Sequence, residues 1–473
     1  MPMKRTAADV AALARAARIA LSEDEVAAFV EPLATLLAEL DGAARRFAAG
    51  PATPPEAPVR TIDFTRPDPV ADHGAFIHRF KLPPTGSGSL DGMTVGIKDT
   101  VAIAGVPLTR GRTRGWDRPA VDAPVVTRIL AAGGTIVGTL NLDAWSSAAT
   151  GESSEFGAIE NPRAPGHLVG GSSAGSGAAL AGGLVDLAIG TDTAGSARIP
   201  AAWCGLYALK PSHGLIPSQG VVGLDPSLDD VCPMARGLDE CSAFFRSIAD
   251  PCDPPSRSGG RVGVVSGLEA TYDDEGAAAM TEALARFRGA GWTVEMLEVP
   301  LWSSAWEIES MLLATSVPHF VRTGWQGRWV EAAEPAISWD AQPTQLVALW
   351  MLAAEALGDR ANDYYRLAAS CRAELRRQAA YAFSAVDIIL TPTTPTPPPR
   401  RSPLHAGSVL ATTSGAATPV PTSTLTTPAN LIGIPALAVP AGDTPEGLPR
   451  SVQLFTSLGR DNSLFSAAEE LVR

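Results

Sequence analysis

A chain of 473 residues, 45% of them hydrophobic and 18% charged, carries enough apolar side chains for one large core or two ordinary domains and lies far from the disordered class. Its formal net charge of −13 argues against a nucleic-acid surface, because affinity for a phosphate backbone depends on Lys and Arg neutralising it. The five cysteines (Cys204, Cys232, Cys241, Cys252 and Cys371) include no CxxC pair, which suggests neither a disulfide framework nor a zinc site and fits a reducing compartment.

Val10, Leu13, Ala14 and Ala17 form a helical stripe, and Ser22-Glu23-Asp24-Glu25 is a capping box that opens a second helix. That helix carries Val26, Phe29, Val30, Leu33, Leu36, Leu37 and Leu40 on one face, so residues 1–50 read as a helical hairpin. Prolines from Pro51 to Pro69 mark residues 51–90 as an extended connector. From about Asp91 strands and helices alternate: strand 94–97, helix 121–132, strand 135–140, helix 174–184, strand 185–190, strand 261–265, helix 274–287, strand 292–299 and strand 386–390. The alternation predicts an α/β domain over 91–473, with a large, twisted, mixed sheet covered by helices on both faces. Within it, residues about 300–380 are helical and rich in tryptophan. There is no signal-peptide core and no apolar run of membrane-spanning length, so a cytoplasmic chain without membrane contact is expected.

Three stretches carry chemistry: Gly96-Ile97-Lys98-Asp99, Gly170-Gly171-Ser172-Ser173-Ala174-Gly175-Ser176-Gly177, and Gly190-Thr191-Asp192-Thr193-Ala194-Gly195-Ser196-Ala197-Arg198-Ile199-Pro200. The second sets small residues and hydroxyls before an Ala/Gly-rich helix. The third follows a buried strand, where a Gly-rich turn can aim several N–H groups at one point, as an oxyanion requires. A serine needs a base within hydrogen-bond reach. None of the six histidines, His73, His78, His167, His213, His319 and His405, sits in a local pattern with these serines. Lys98 ends an apolar strand, and desolvation lowers a lysine's pKa toward a neutral, proton-accepting amine.

The run from Gly170 to Ser212, with Thr391-Pro392-Thr393-Thr394-Pro395 and Pro428-Ala429-Asn430-Leu431-Ile432-Gly433-Ile434-Pro435, resembles the amidase signature family over roughly residues 74–472. The resemblance implies a Ser-Ser-Lys triad: Ser196 as nucleophile, Ser172 as a bridging serine beside a cis peptide bond, and Lys98 as general base. It implies an oxyanion hole from the N–H groups of Thr193, Ala194, Gly195 and Ser196, with Ser173, Asp192 and Arg198 in support, and no metal or organic cofactor. Two departures stand out: Ala194-Gly195 where many members have Gly-Gly, and Asn141-Leu142-Asp143-Ala144-Trp145 without the usual acidic residue. The N-terminal hairpin resembles the small C subunit of glutamyl-tRNA amidotransferases, and the domain core looks closer to indoleacetamide hydrolases.

Gly171-Ser172-Ser173-Ala174-Gly175 also matches the GxSxG nucleophile elbow, which would make Ser173 the nucleophile, but the segment before it is a poor strand. Trp302, Trp306, Trp325 and Trp329 are either helix packing or the wall of an aryl-binding pocket. The expected function is hydrolysis of small, aryl-containing amides or carbamates through a Ser196 acyl-enzyme. The expected partners are that small substrate and a second copy of the chain. Two alternatives stand beside it: an amidotransferase component supplying ammonia to a partner, and a silent binding protein on the same fold.

Overall fold

A computed structural model describes residues 6–17, 19–48, 58, 60–114, 116, 118–252, 260–323, 345–401 and 421–472. Helices α1 (Ala7–Ala16) and α2 (Glu23–Ala48) form a compact unit of their own. The capping box at the start of α2 is made: the Ser22 N–H donates to Glu25 Oε2 (2.8 Å) and the Glu25 N–H to Ser22 Oγ (3.3 Å).

The second unit holds eleven described strands and ten helices. In chain order they are β1 (Phe76–Leu82), β2 (Thr94–Lys98), α3 (Pro124–Ala131), β3 (Thr135–Leu140), α4 (Ala174–Ala181), β4 (Leu187–Asp192), α5 (Arg198–Cys204), β5 (Tyr207–Lys210) and β6 (Asp230–Ala235). There follow α6 (Leu238–Ile248), β7 (Arg261–Val265), α7 (Asp274–Gly289), β8 (Thr293–Leu297), α8 (Ala305–Thr323), α9 (Gln345–Leu357), α10 (Ala361–Ala385), β9 (Ile388–Pro392), α11 (Thr427–Ile432), β10 (Ala436–Asp443), β11 (Pro449–Phe455) and α12 (Asp461–Val472).

The strands make one mixed sheet in the order β1-β3-β2-β4-β6-β5-β10-β11-β9-β7-β8. Pairing is parallel for β3-β2-β4 and for β9-β7-β8, and antiparallel through β4-β6-β5-β10-β11-β9. Side-chain alternation along the strands splits the core between two faces. Leu187, Ile189, Leu209 and Val231 pack with α3, α6 and α12 on one face. Ala188, Ala208, Cys232 and Met234 pack with α4 and α5 on the other. The second face is built from small residues, so α4 lies close to the sheet and the chain before it is held against the ends of β2 and β4.

Two details differ from the sequence expectation. Phe76–Leu82, inside the stretch read as connector, is an edge strand antiparallel to β3; the half-buried His78 and Arg79 and the exposed Lys81 interrupt the apolar Phe76, Ile77, Phe80 and Leu82, and the register is irregular, so no clean alternation is left in the sequence. Helix α3 starts at Pro124, three residues later than expected, because a residue before proline is held extended and Ala123 has φ −61° and ψ 144°.

Candidate active site

Lys98 ends β2 and is 0% exposed. Its Nζ donates to Ser172 Oγ and to Thr191 Oγ1, each at 2.8 Å. Lys210, also buried, instead donates to a carboxylate, Asp230 Oδ2, at 2.7 Å. The partners of Lys98 are neutral hydroxyls, so burial is poorly compensated and takes its pKa from 10.5 down to about 7, with Asp143, Asp192, Cys232 and Asp229 pulling the other way. An amine at about 7 is neutral in a large fraction of molecules at neutral pH and can accept a proton.

Ser172 lies in the turn before α4 and follows a cis Gly171–Ser172 peptide bond. Its carbonyl accepts the Asp143 N–H (3.1 Å). The Asp143 carboxylate accepts the Gly151 N–H (2.8 Å), the Ser153 N–H (3.0 Å) and Ser153 Oγ (2.8 Å). It also lies flat against Gly171, where a Cβ would come within 1.9 Å of Asp143 Oδ2, so only glycine fits at 171. Ser173, the elbow candidate, is fully buried: its Oγ donates to the Thr191 carbonyl (3.1 Å) and accepts the Thr191 N–H (3.2 Å). That hydroxyl ties α4 to β4 and faces no base. Among the histidines, His213 Nδ1 lies 3.0 Å from Asp230 Oδ1, His319 is exposed on α8, and His405 lies outside the described residues.

Ser196 sits between β4 and α5 and is partly exposed, unlike Ser172 and Ser173. Its carbonyl accepts the Ser173 N–H (2.9 Å), joining the two serine loops. The loop is built around Asp192, whose carboxylate accepts the N–H groups of Gly195 (2.7 Å), Ala197 (3.2 Å) and Arg198 (3.3 Å). Arg198 closes on the same carboxylate through Nε (3.1 Å) and Nη2 (3.0 Å), and reaches Gln453 Oε1 (3.0 Å) and Asn430 Oδ1 (2.6 Å). Burial pushes the Asp192 pKa up, but the charge and hydrogen bonds of Arg198, with Asn430 and Lys210, outweigh it and hold the group at about 2.

Gly195 has φ +120°, and a Cβ there would meet Thr426 Oγ1 at 2.2 Å; Thr426 Oγ1 donates to the Ala194 carbonyl at 2.6 Å. The Gly195 N–H is therefore committed inside the loop. The N–H groups of Thr193, Ala194 and Ser196 have no acceptor among the described residues.

Asp143, Thr191, Thr426, Asn430 and Gln453 hold this site together without having been singled out for it from sequence. Asp143, Thr191 and Asn430 stood in quoted motifs; Gln453 lies 255 residues from Arg198 and carries no local signal. Asn141 is buried, its amide donating to the Gly74 carbonyl (2.9 Å) and its Oδ1 accepting the Leu142 N–H (2.9 Å). Trp302 is 1% exposed and packs edge-on against Phe455 at 5.2 Å between ring centres, inside the core. Trp306 is half-buried, and Trp325 and Trp329 lie outside the described residues.

A family model described as Amidase matches residues 83–465. The A subunit of glutamyl-tRNA(Gln) amidotransferase from Natronomonas pharaonis is 32% identical over 433 residues, spanning 84% of this chain and 99% of that protein. The protein of the same name from Halobacterium salinarum is 34% identical over 424 residues, 83% of this chain and 98% of that protein. Among solved structures, the A subunit of glutamyl-tRNA(Gln) amidotransferase from Thermotoga maritima matches with TM-score 0.68 and 26% identity over 84% of this chain and 87% of its own. A 6-aminohexanoate cyclic dimer hydrolase complexed with substrate matches with TM-score 0.70 and 25% identity over 82% and 85%.

These relatives overturn the expected hydrolase of small aryl amides or carbamates with a small molecule, or a second copy, as its partner. They favour the amidotransferase alternative, and with it protein partners. The aryl-pocket argument also loses Trp302, which faces the core. Among the described residues, no helix is long and apolar enough to cross a membrane. The chain belongs to the amidase family, enzymes that act on C–N bonds.

Proposed function

We propose that this chain is the amide-cleaving component of an amidotransferase: it releases ammonia from the side-chain amide of glutamine and passes it to a partner protein. The observation that carries the reading is the match to proteins named as the A subunit of glutamyl-tRNA(Gln) amidotransferase, which spans 98–99% of their length at 32–34% identity. The N-terminal hairpin fits it, since it resembles the small C subunit of such enzymes.

In this reading neutral Lys98 accepts the Ser172 hydroxyl proton while Ser172 takes the proton of Ser196. Once Lys98 has lost its extra proton, one N–H can stay on Thr191 Oγ1 while Nζ, 2.8 Å from Ser172 Oγ, turns from donor to acceptor there. Ser196 Oγ bonds to the amide carbon, and the oxyanion is met by N–H groups of Thr193, Ala194 and Ser196. Collapse breaks the C–N bond, the relay returns the proton to the departing nitrogen, and ammonia leaves a glutamyl ester on Ser196. Water, deprotonated by the same relay, releases glutamate. The buried Asp192–Arg198 pair holds the loop through this cycle because both charges are matched.

The test is ammonia release from L-glutamine by the full chain, with hydroxylamine present to intercept the ester as a hydroxamate. The parent forms ammonia and the hydroxamate, and Ser196→Ala forms neither. Hydroxamate formed equally by Ser196→Ala removes Ser196 as nucleophile. A parent that forms none from glutamine but does so from other amides removes the amidotransferase reading.

A further inference from the structure

Asp99 follows Lys98 at the end of β2 and is fully buried. Its N–H donates to the Leu140 carbonyl at the end of β3 (3.0 Å). The carboxylate works through one oxygen: Oδ2 accepts the Thr109 N–H (2.8 Å), the Thr109 hydroxyl and the Arg110 N–H (3.0 Å), while Oδ1 has no partner among the described residues. The relay gives this carboxyl no step, and a fully buried carboxyl is costly enough to need a reason.

The reason lies in what the turn beyond it touches. The Arg110 carbonyl accepts the Trp145 N–H (2.9 Å), and the Trp145 ring meets the guanidinium groups of Arg110 (5.0 Å) and Arg112 (4.8 Å). Gly111 has φ +77°, and a Cβ there would come within 2.9 Å of the Leu142 carbonyl oxygen and 3.0 Å of Ala144 Cα, so the turn lies flat on segment 142–145. Arg110, Trp145 and Ser146 adopt left-handed backbone, with φ of +60°, +62° and +56°, and are three of the four non-glycine residues that do so among the described residues. Such conformations persist only where surrounding contacts impose them.

The same segment reaches the relay. The Asp143 N–H donates to the Ser172 carbonyl (3.1 Å), and the Asp143 carboxylate lies against Gly171. Contacts therefore run unbroken from the residue after Lys98, through the turn at 109–111 and segment 142–145, to the backbone of Ser172. Thr191 holds the amine, and this second route holds the serine.

We propose that Asp99 is a positioning residue for the relay: by seating the turn at 109–111, and through it segment 142–145, it keeps Ser172 Oγ within hydrogen-bond reach of Lys98 Nζ. What the geometry asks of Asp99 is an acceptor rather than a charge, since one oxygen takes all three donors and burial pushes its pKa up to about 7. The inference rests on the relay of Lys98, Ser172 and Ser196 and not on which amide is cleaved.

The test compares Asp99→Asn, which can set its amide oxygen where Oδ2 lies, with Asp99→Ala, which cannot; both lose the charge alike. The chain has four lysines, Lys4, Lys81, Lys98 and Lys210, so a carbon-13 label at lysine Cε lets Lys98 be titrated directly by NMR, its signal identified by its loss in Lys98→Met. In the parent Lys98 titrates at about 7. In Asp99→Ala it is expected about one unit or more above Asp99→Asn, because a Ser172 that drifts lets water reach Nζ and relieves the desolvation. On an amide that the parent cleaves, Asp99→Ala should lose about ten- to a hundredfold in kcat with KM nearly unchanged, and Asp99→Asn should keep most of its activity. If Asp99→Ala does not fold, Gly111→Ala displaces the same segment and is expected to raise the Lys98 midpoint above that of the parent. A midpoint alike in the two Asp99 variants, one unmoved in Gly111→Ala, or an Asp99→Asn that loses as much kcat as Asp99→Ala, overturns the proposal. A parent Lys98 that titrates near 10.5 instead removes the relay itself. If the midpoints separate as expected but glutamine yields no ammonia, the amidotransferase reading fails and the role of Asp99 stands.

Discussion

Replacing Lys98 with methionine separates a buried neutral base from an ordinary structural cation. The side chain is 0% exposed and burial brings its pKa from 10.5 to about 7. The difference, 10.5 − 7, is about 3.5 units and corresponds to about 5 kcal/mol at about 1.4 kcal/mol per unit. The folded pKa is depressed, so between these two values the unfolded chain holds a proton that the folded chain has lost, and the parent becomes more stable as pH rises. The cost of burying Lys98 is therefore complete near pH 7 and below, and gone above its ordinary pKa.

Methionine removes that cost but leaves Ser172 Oγ and Thr191 Oγ1 each without a partner, at about 1 kcal/mol apiece. Lys98→Met is therefore expected to stabilise the protein by about 3 kcal/mol near pH 7 while abolishing amide cleavage. The gain should shrink by about 1.4 kcal/mol for each pH unit above that. Urea unfolding of both proteins at several pH values between about 7 and 9 measures it. A stability difference that does not change with pH, or a methionine variant that is less stable near pH 7, refutes the neutral-amine account.

Further predictions concern the groups around the relay. Since Lys98 must be deprotonated to act, kcat/KM should rise through about pH 7 and level off above it; a profile flat from about pH 5 to 9 contradicts this. The Asp143 charge holds the Lys98 pKa up, so Asp143→Asn should move that rising limb to lower pH, and an unmoved limb with lower activity would mark Asp143 as structural only. Arg198→Met strands the buried Asp192 carboxylate and is expected to cost about 3–5 kcal/mol in urea unfolding, whereas a change under about 1 kcal/mol removes the pair as the brace of the loop. Gly195→Ala combines a φ of +120° with a clash against Thr426 and should lose activity; Gly195→Ala/Thr426→Ser, which keeps the clashing oxygen, should not recover it.

Strands such as Thr135–Leu140 are legible because an apolar run stands between Gly133-Gly134 and Asn141, and the mixed sheet follows from the alternation of such runs with helical ones. Strand β1 is not, because His78, Arg79 and Lys81 interrupt its apolar residues and its pairing is irregular. At the site, Lys98 and Ser172 are 74 residues apart in sequence and in hydrogen-bond contact, and motif blocks point to both. What the motifs do not convey is direction. The Gly195 N–H turns inward to Asp192, although the family resemblance implies that all four N–H groups of the loop face an oxyanion. Helical spacing does not say which face of α8 meets the core, so it leaves Trp302 open as a pocket wall. Asp192, Arg198, Asn430 and Gln453 come together only through tertiary packing, which no local pattern encodes.

The most direct test of the central claim is mass spectrometry of the chain quenched in acid during reaction with L-glutamine. A glutamyl ester on the peptide containing Ser196, absent from Lys98→Met, is the predicted result. A glutamyl adduct on Ser173, or a parent that carries no adduct yet releases ammonia, would contradict it.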